Sequence, residues 1–236
     1  MARSPLWREI AETLQAEIAR GHFPAGTRLP TEADLSARFG VNRHTVRHAL
    51  ADLATRGLVL SRRGAGVFVI GRPTDYPLGR RVRFHQAVTA AGQVPSRDLT
   101  RIETRPADST EAEVLSLDPN ALVHIVEGVS KADGQPLAMF RSVFPAARFP
   151  DLPAHLSQTQ SITEALARSG LTDYTRAFTR LTAKAAKPML ALGLRLAEGA
   201  PVLRSVAVNV DAMGTPVEYG TTWFAGDRVT LTVEPD

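Results

Sequence analysis

The chain has 236 residues, a formal net charge of +4 and no cysteine. That length holds one or two domains with cores of their own; the lack of cysteine excludes disulfides, thiolate metal sites and cysteine nucleophiles and suits a reducing cytoplasm. No apolar run approaches the ~20 residues of a membrane-spanning helix, and the start reads as an amphipathic helix, not a signal peptide, so a cytoplasmic protein without a membrane partner is expected.

Charge is placed unevenly: residues 1–73 carry 11 arginines against 6 acids, while 74–236 carry 17 basic and 18 acidic side chains. A positive excess confined to one end is what neutralisation of a phosphate backbone requires. Within that end, Ser4 and Pro5 read as N-cap and first residue of an opening helix. Leu6, Ile10, Leu14 and Ile18 repeat every four residues along one face before Gly21 closes it. Thr31 stands as the N-cap of a second helix, with Asp34 placed to complete a capping box, and Gly40 as its left-handed terminator. Asn42 caps a third helix that turns Val46, Leu50 and Leu53 inward and leaves Arg43, His44, Thr45, Arg47 and His48 on the other side. Arginine forks at a positive helix N-terminus suit guanine edges and phosphates, so this pair reads as a helix-turn-helix with its recognition helix second. Leu58-Val59-Leu60 and Val67-Phe68-Val69 flank the tip Arg62-Arg63-Gly64-Ala65-Gly66, a basic, glycine-bearing hairpin suited to the minor groove. The residues expected at DNA are Thr31, Asn42, Arg43, His44, Thr45, Arg47, Arg62, Arg63, Gly64 and Gly66.

The expected organisation is a winged helix-turn-helix domain over 1–72, a Pro/Gly-punctuated linker over 73–80 and a second domain over 81–236. In the second domain, Arg83 to Ala91 reads as a helix closed by Gly92, Leu99 to Arg105 as a strand, and Thr110 to Leu117 as a helix. Asp133-Gly134 joins Val123–Lys131 to Leu137–Phe144 as a hairpin. A helix follows over Ile162–Arg168, and strands near Tyr174–Ala183, Val202–Val210, Val217–Phe224 and Val229–Val233 complete an α+β domain on an antiparallel sheet.

The ordered run from Pro24 through Thr31-Glu32, then Asn42-Arg43-His44-Thr45-Val46-Arg47, then Arg62 to Val69, resembles the N-terminal domain of GntR-type bacterial transcription regulators. The second half looks like the sensing domain of the HutC-type branch, which is similar in fold to chorismate lyase but serves as a sensor. That likeness rests on the Phe84 helix start, Asp133 to Leu137, Gly214 to Tyr219 and Ala225 to Arg228. Asn42 to Arg47, Arg72 to Leu78, Arg83-Phe84, Phe144 to Pro150, Asp173 to Arg176 and Glu218 to Val229 further resemble PhnF-type regulators of phosphonate utilisation. The resemblance implies a homodimeric repressor that reads a palindromic double-stranded operator and responds to a phosphonate or related small anion.

It also implies an effector site at Arg83, Phe84, Ser130, Phe140, Glu218 and Phe224. Sugar-phosphate-binding relatives carry arginines where this chain has Gly128 and Ser130, a glutamate at Phe140 and a tyrosine at Phe224; Glu218 alone is retained. A smaller or differently gripped effector is therefore expected, and Arg83 at a helix start suits an anion. Amino-sugar phosphates, urocanate and fatty acids are the alternatives within the same architecture. His44 and His48 share a helix face but lack a third ligand, so neither a metal nor another cofactor is expected. Asp211, Glu218 and Asp227 come without a nucleophile or phosphate loop. An enzyme with a DNA-binding appendage and a sequence-indifferent architectural protein are the rivals from other classes, and no catalytic residue is assigned.

Overall fold

A computed structural model of the protein describes residues 5–62, 64–70, 73–81 and 83–233, with the backbone alone at Arg62. Ser4 and Arg63, assigned roles from sequence, lie outside the described residues. The chain divides into two compact units, Met1–Arg72 and Pro73–Asp236.

Three helices and a hairpin make the first unit: α1 (Leu6–Ala19), α2 (Glu32–Phe39), α3 (Arg43–Thr55), β1 (Val59–Arg62) and β2 (Gly66–Val69). Pro5 occupies the N-cap position of α1, one place before the helical start expected for it. Ile10, Ala11 and Leu14 of α1 meet Leu35 of α2 and Val46, Ala49, Leu50 and Leu53 of α3 in one apolar cluster closed by Leu29, Val59 and Val69. Leu6, expected on that face, is 60% exposed, because the stripe meets the core only from its second turn. Both α2 and α3 start on side-chain caps, and Gly40 ends α2 at φ 63°. Caps of this kind satisfy backbone donors that a short helix cannot satisfy itself.

The second unit carries β3 (Thr74–Pro77), α4 (Phe84–Ala90), β4 (Pro95–Pro106), α5 (Ser109–Leu115), β5 (Leu122–Ala132) and β6 (Gln135–Pro145). It continues with α6 (Leu152–Thr159), α7 (Ile162–Arg168), β7 (Thr175–Ala185), α8 (Pro188–Leu194), β8 (Pro201–Val210), β9 (Pro216–Ala225) and β10 (Val229–Thr232). Six strands form a fully antiparallel sheet in the order β4-β5-β6-β9-β8-β7. Asp133 (φ 49°) and Gly134 (φ 75°) form the two-residue turn of the β5–β6 hairpin, as an Asp-Gly pair permits.

The stretch 73–80 is a correction to the sequence reading: Thr74–Pro77 pairs in parallel with β10 rather than acting as a free linker. Thr74 and Tyr76 are buried while Asp75 and Pro77 face out, a two-residue alternation that the prolines obscure. On one sheet face, Phe140, Phe144, Phe149, Leu152, Leu156, Leu166 and Tyr174 belong to one apolar cluster, while Tyr76, Phe84, Leu137, Phe224 and Val229 form a second.

Candidate nucleic-acid interface and sensor site

The recognition helix is held at its start by Asn42, whose Oδ1 accepts from the Thr45 amide at 2.9 Å and the Thr45 hydroxyl at 3.0 Å. Arg43, His44 and Arg47 project into solvent beyond this cap, while Val46, Ala49 and Leu50 bury the opposite face. Thr31 closes the capping box of α2: its hydroxyl accepts from the Asp34 amide at 3.2 Å, and its own amide donates to Asp34 Oδ2 at 3.0 Å. Arg47 makes a two-pronged ion pair with Glu32, Nε to Oε1 at 3.2 Å and Nη2 to Oε2 at 2.8 Å. Hydrogen bonds from Arg47 hold the Glu32 carboxyl below its ordinary value. His48 is turned away from this group and stacks on Trp7 of α1 with ring centroids 4.2 Å apart.

At the hairpin, Gly64 (φ 74°) and Gly66 (φ 108°) take backbone conformations that side-chain-bearing residues rarely adopt. A Cβ on Gly66 would stand 2.5 Å from Arg28 Nε, so the glycine also makes room for that arginine. Gly26 and Leu29 donate their amides to the Val69 and Val67 carbonyls, and Arg28 pairs with Phe68 in an isolated antiparallel bridge, which ties the segment before α2 to the hairpin. A hollow of about 290 Å³ lies between them, edged by Arg28, Thr31, Glu32, Gly64 and Gly66. Arg28 was missed from sequence, since a basic residue before Leu-Pro carries no periodic or capping signal.

In the second unit, strand register carries a row of polar groups across the sheet face that holds Phe140. Arg97 on β4 lies opposite Ser130 on β5, Gly128 opposite Phe140 on β6, Asn209 on β8 opposite Glu218 on β9, and Arg176 on β7 opposite Asn209. Glu218 accepts from the Ser142 hydroxyl and the Asn209 amide, each at 2.6 Å, and Arg176 Nε donates to Asn209 Oδ1 at 3.3 Å. Arg97 sits over the Phe140 ring at 4.6 Å and the Phe84 ring at 5.5 Å, and its Nε donates to the Ser130 hydroxyl at 3.3 Å. It thereby spans the seam between the two apolar clusters. Burial pushes its guanidinium below the ordinary arginine value, against the opposing influence of Tyr76, Glu218 and Tyr174. Burial likewise raises the Tyr76 and Tyr174 hydroxyls.

The sequence-assigned sensor residues therefore distribute unequally. Ser130, Phe140 and Glu218 share this polar row. Phe84 and Phe224 are 8% and 4% exposed and pack against Tyr76, as walls behind it. Arg83 caps α4 from extended backbone, stands 5.2 Å over the Tyr174 ring and reaches Asp173 at 3.9 Å. Arg97, Asn209, Arg176 and Tyr76 escaped the sequence reading, because strand pairing over 30 or more residues brings them together.

Comparison with known proteins agrees with both halves of this geometry. Residues 6–69 match the family model of bacterial regulatory proteins, gntR family, and residues 90–230 match the UTRA domain. The chain belongs to the GntR family of transcriptional regulators, with a UTRA sensing domain of the HutC/PhnF type. It is 39% identical over 230 residues to the HTH-type transcriptional regulator RB1450 of Rhizobium meliloti (strain 1021), covering 97% of this chain and 94% of that one. It is 30% identical over 230 residues to the probable transcriptional regulator PhnF of Escherichia coli (strain K12), with the same coverage. The crystal structure of PhnF from Mycobacterium smegmatis superposes with a TM-score of 0.64 at 25% identity, over 98% of this chain and 99% of that one.

Within this GntR regulator, Gly128 gains a physical explanation. A Cβ there would approach the Asp98 carbonyl oxygen at 2.4 Å and the Phe140 ring at 2.9 Å. With Phe140 in place, no arginine fits at position 128.

Proposed function

We propose that this regulator is a homodimeric repressor of phosphonate uptake and breakdown genes, released from a palindromic operator by a phosphonate or related small anion. The observation that carries the DNA half is the capped start of α3, which presents Arg43, His44 and Arg47 outward from a helix whose other face is buried. In this reading Arg43, His44, Thr45 and Arg47 meet base edges and phosphates of the major groove. Arg28, Arg62, Arg63, Gly64 and Gly66 work the minor groove and its flanking phosphates, and Thr31 and Asn42 hold the helix starts toward the backbone. The ion pair with Glu32 keeps Arg47 extended before DNA arrives and is exchanged for a base or phosphate on binding.

The effector half is supported by the likeness to PhnF along nearly the whole chain and by the arginines around Tyr174 and Phe140. Arg83 would edge the site, Ser130 and Glu218 line it, and Phe84, Phe140 and Phe224 shape it. An amino-sugar phosphate fits less well, since glycine and serine stand where the sugar-phosphate-binding relatives carry arginines. The test is fluorescence anisotropy of a labelled operator bound to the full chain, titrated with alkylphosphonates, aminoalkylphosphonates and glucosamine 6-phosphate. Release by a phosphonate is expected; release by the sugar phosphate alone would replace this effector assignment.

A further inference from the structure

Two opposite charges lie on the same sheet face without meeting. Arg97 is half-buried, clasped between the Phe140 and Phe84 rings, and its only side-chain hydrogen bond among the described residues is from Nε to Ser130. No carboxylate approaches its guanidinium within 4.0 Å among those residues, which leaves the Nη edge of the fork uncommitted. Glu218 is also half-buried; its two oxygens each take one neutral donor, Ser142 and Asn209, and no cation stands within 4.0 Å of them among the described residues. A carboxylate has about four acceptor sites, so room remains for a further donor. Taking two unpaired charges partly out of water is costly unless a partner arrives. The Tyr76 ring is buried against Phe84, one of the two rings that clasp Arg97, and against Phe224.

We propose that the sensor takes a short zwitterion, its acidic group gripped by the Arg97 fork and its ammonium group drawn to Glu218. Arg97 and Ser130 are directly opposed across the β4–β5 ladder, so the guanidinium can be delivered to this spot from either strand. Here it comes from β4, over a wall made by Phe140. That placement makes Arg97 the residue that fixes the anionic end, and Glu218 the one that separates aminated from plain anions. The inference deepens the effector assignment above but names the ligand by its two charges rather than by phosphorus.

Calorimetric titration of the full chain tests it, with 2-aminoethylphosphonate, ethylphosphonate, 3-aminopropanoate and 2-aminoethanesulfonate as probes. The parent should bind 2-aminoethylphosphonate at least tenfold more tightly than ethylphosphonate, and Glu218→Gln should erase that preference. Arg97→Ala should weaken every probe that binds by tenfold or more, with operator affinity in the absence of ligand unchanged. Exchanging the pair, Arg97→Ser with Ser130→Arg, should restore binding to within tenfold of the parent, which a merely structural arginine would not do. Should Arg97→Ala lower the unfolding midpoint, Arg97→Gln, which keeps the stem and loses the charge, carries the same comparison.

Equal binding of the two phosphonates by the parent, or undiminished binding by the Arg97 variants, overturns the inference and leaves the phosphonate reading standing. Binding of an amino acid or aminosulfonate through Arg97, with both phosphonates silent, does the reverse. Silence from all four probes overturns both.

Discussion

Arg47, proposed above to meet DNA, already has a partner in the free protein. In the free protein it is 64% exposed yet held by two hydrogen bonds to Glu32, so its fork is already extended and aimed by α2. An exposed pair of this kind adds little stability, which makes its position more useful than its energy. Arg47→Ala should therefore leave the unfolding midpoint nearly unchanged and cost about 1–3 kcal/mol of operator binding if the arginine reads a base. If it meets only phosphate, affinity should fall alike on all duplexes and the salt dependence should flatten. Gel-shift titration at two salt concentrations separates these outcomes, and an unaltered titration would remove Arg47 from the interface. His48, one residue on, illustrates the limit of helical periodicity: it lies beside the residues proposed to face the groove, but stacking on Trp7 turns it toward α1.

At the scale of elements, what could be read in advance was local chemistry. The caps at Thr31 and Asn42, the left-handed Gly40 and the Asp133-Gly134 turn are each specified within four residues, and all are present. Elements that sequence did not reveal have causes just as specific. Prolines at 150 and 153 look like turn punctuation, yet Pro153 falls in the first turn of α6, where a missing N–H costs nothing. Helix α8 contains Gly193, an ordinary helix breaker, but a Cβ there would stand 2.4 Å from Met139 Sδ, so the glycine lets the Met139 side chain of β6 lie close against the helix.

Helix α5 also carries a testable electrostatic device. Glu111 is 1% exposed, completes the capping box with Asp108, and is held by Arg105 at 2.8 Å and Arg141 at 2.6 Å. Burial pushes its carboxyl up, but the hydrogen bonds from Arg105 and Arg141 and from the Asp108 amide prevail and bring it to about 2. A carboxyl depressed on folding stabilises fully above its unfolded value, near 4.5, and loses that contribution as pH falls toward 2. Glu111→Gln should cost about 2–4 kcal/mol at neutral pH. The gap between variant and parent in urea unfolding should narrow progressively below pH 4.5. A gap independent of pH would show that the charge of Glu111 does not stabilise α5.

For the whole molecule, the uneven charge now has a structural address. The basic excess of residues 1–73 belongs to the unit with the helix-turn-helix and its hairpin, while the near-neutral remainder belongs to the unit with the polar row. Arg97, Asn209 and Arg176 were illegible in sequence because ladder register, not spacing, brings them to Ser130 and Glu218; the residues proposed to meet DNA could be named in advance because they lie on one capped helix and one hairpin. A ligand can shift DNA binding only by as much as it prefers one state of the protein over the other. The effector experiments above thus depend on a prior fact about DNA. Equilibrium titration of the full chain with its own promoter duplex and with a scrambled duplex of equal composition, at physiological salt, measures that fact. A preference for the promoter of at least about a thousandfold is expected. A ratio near one, with and without phosphonates, would contradict it.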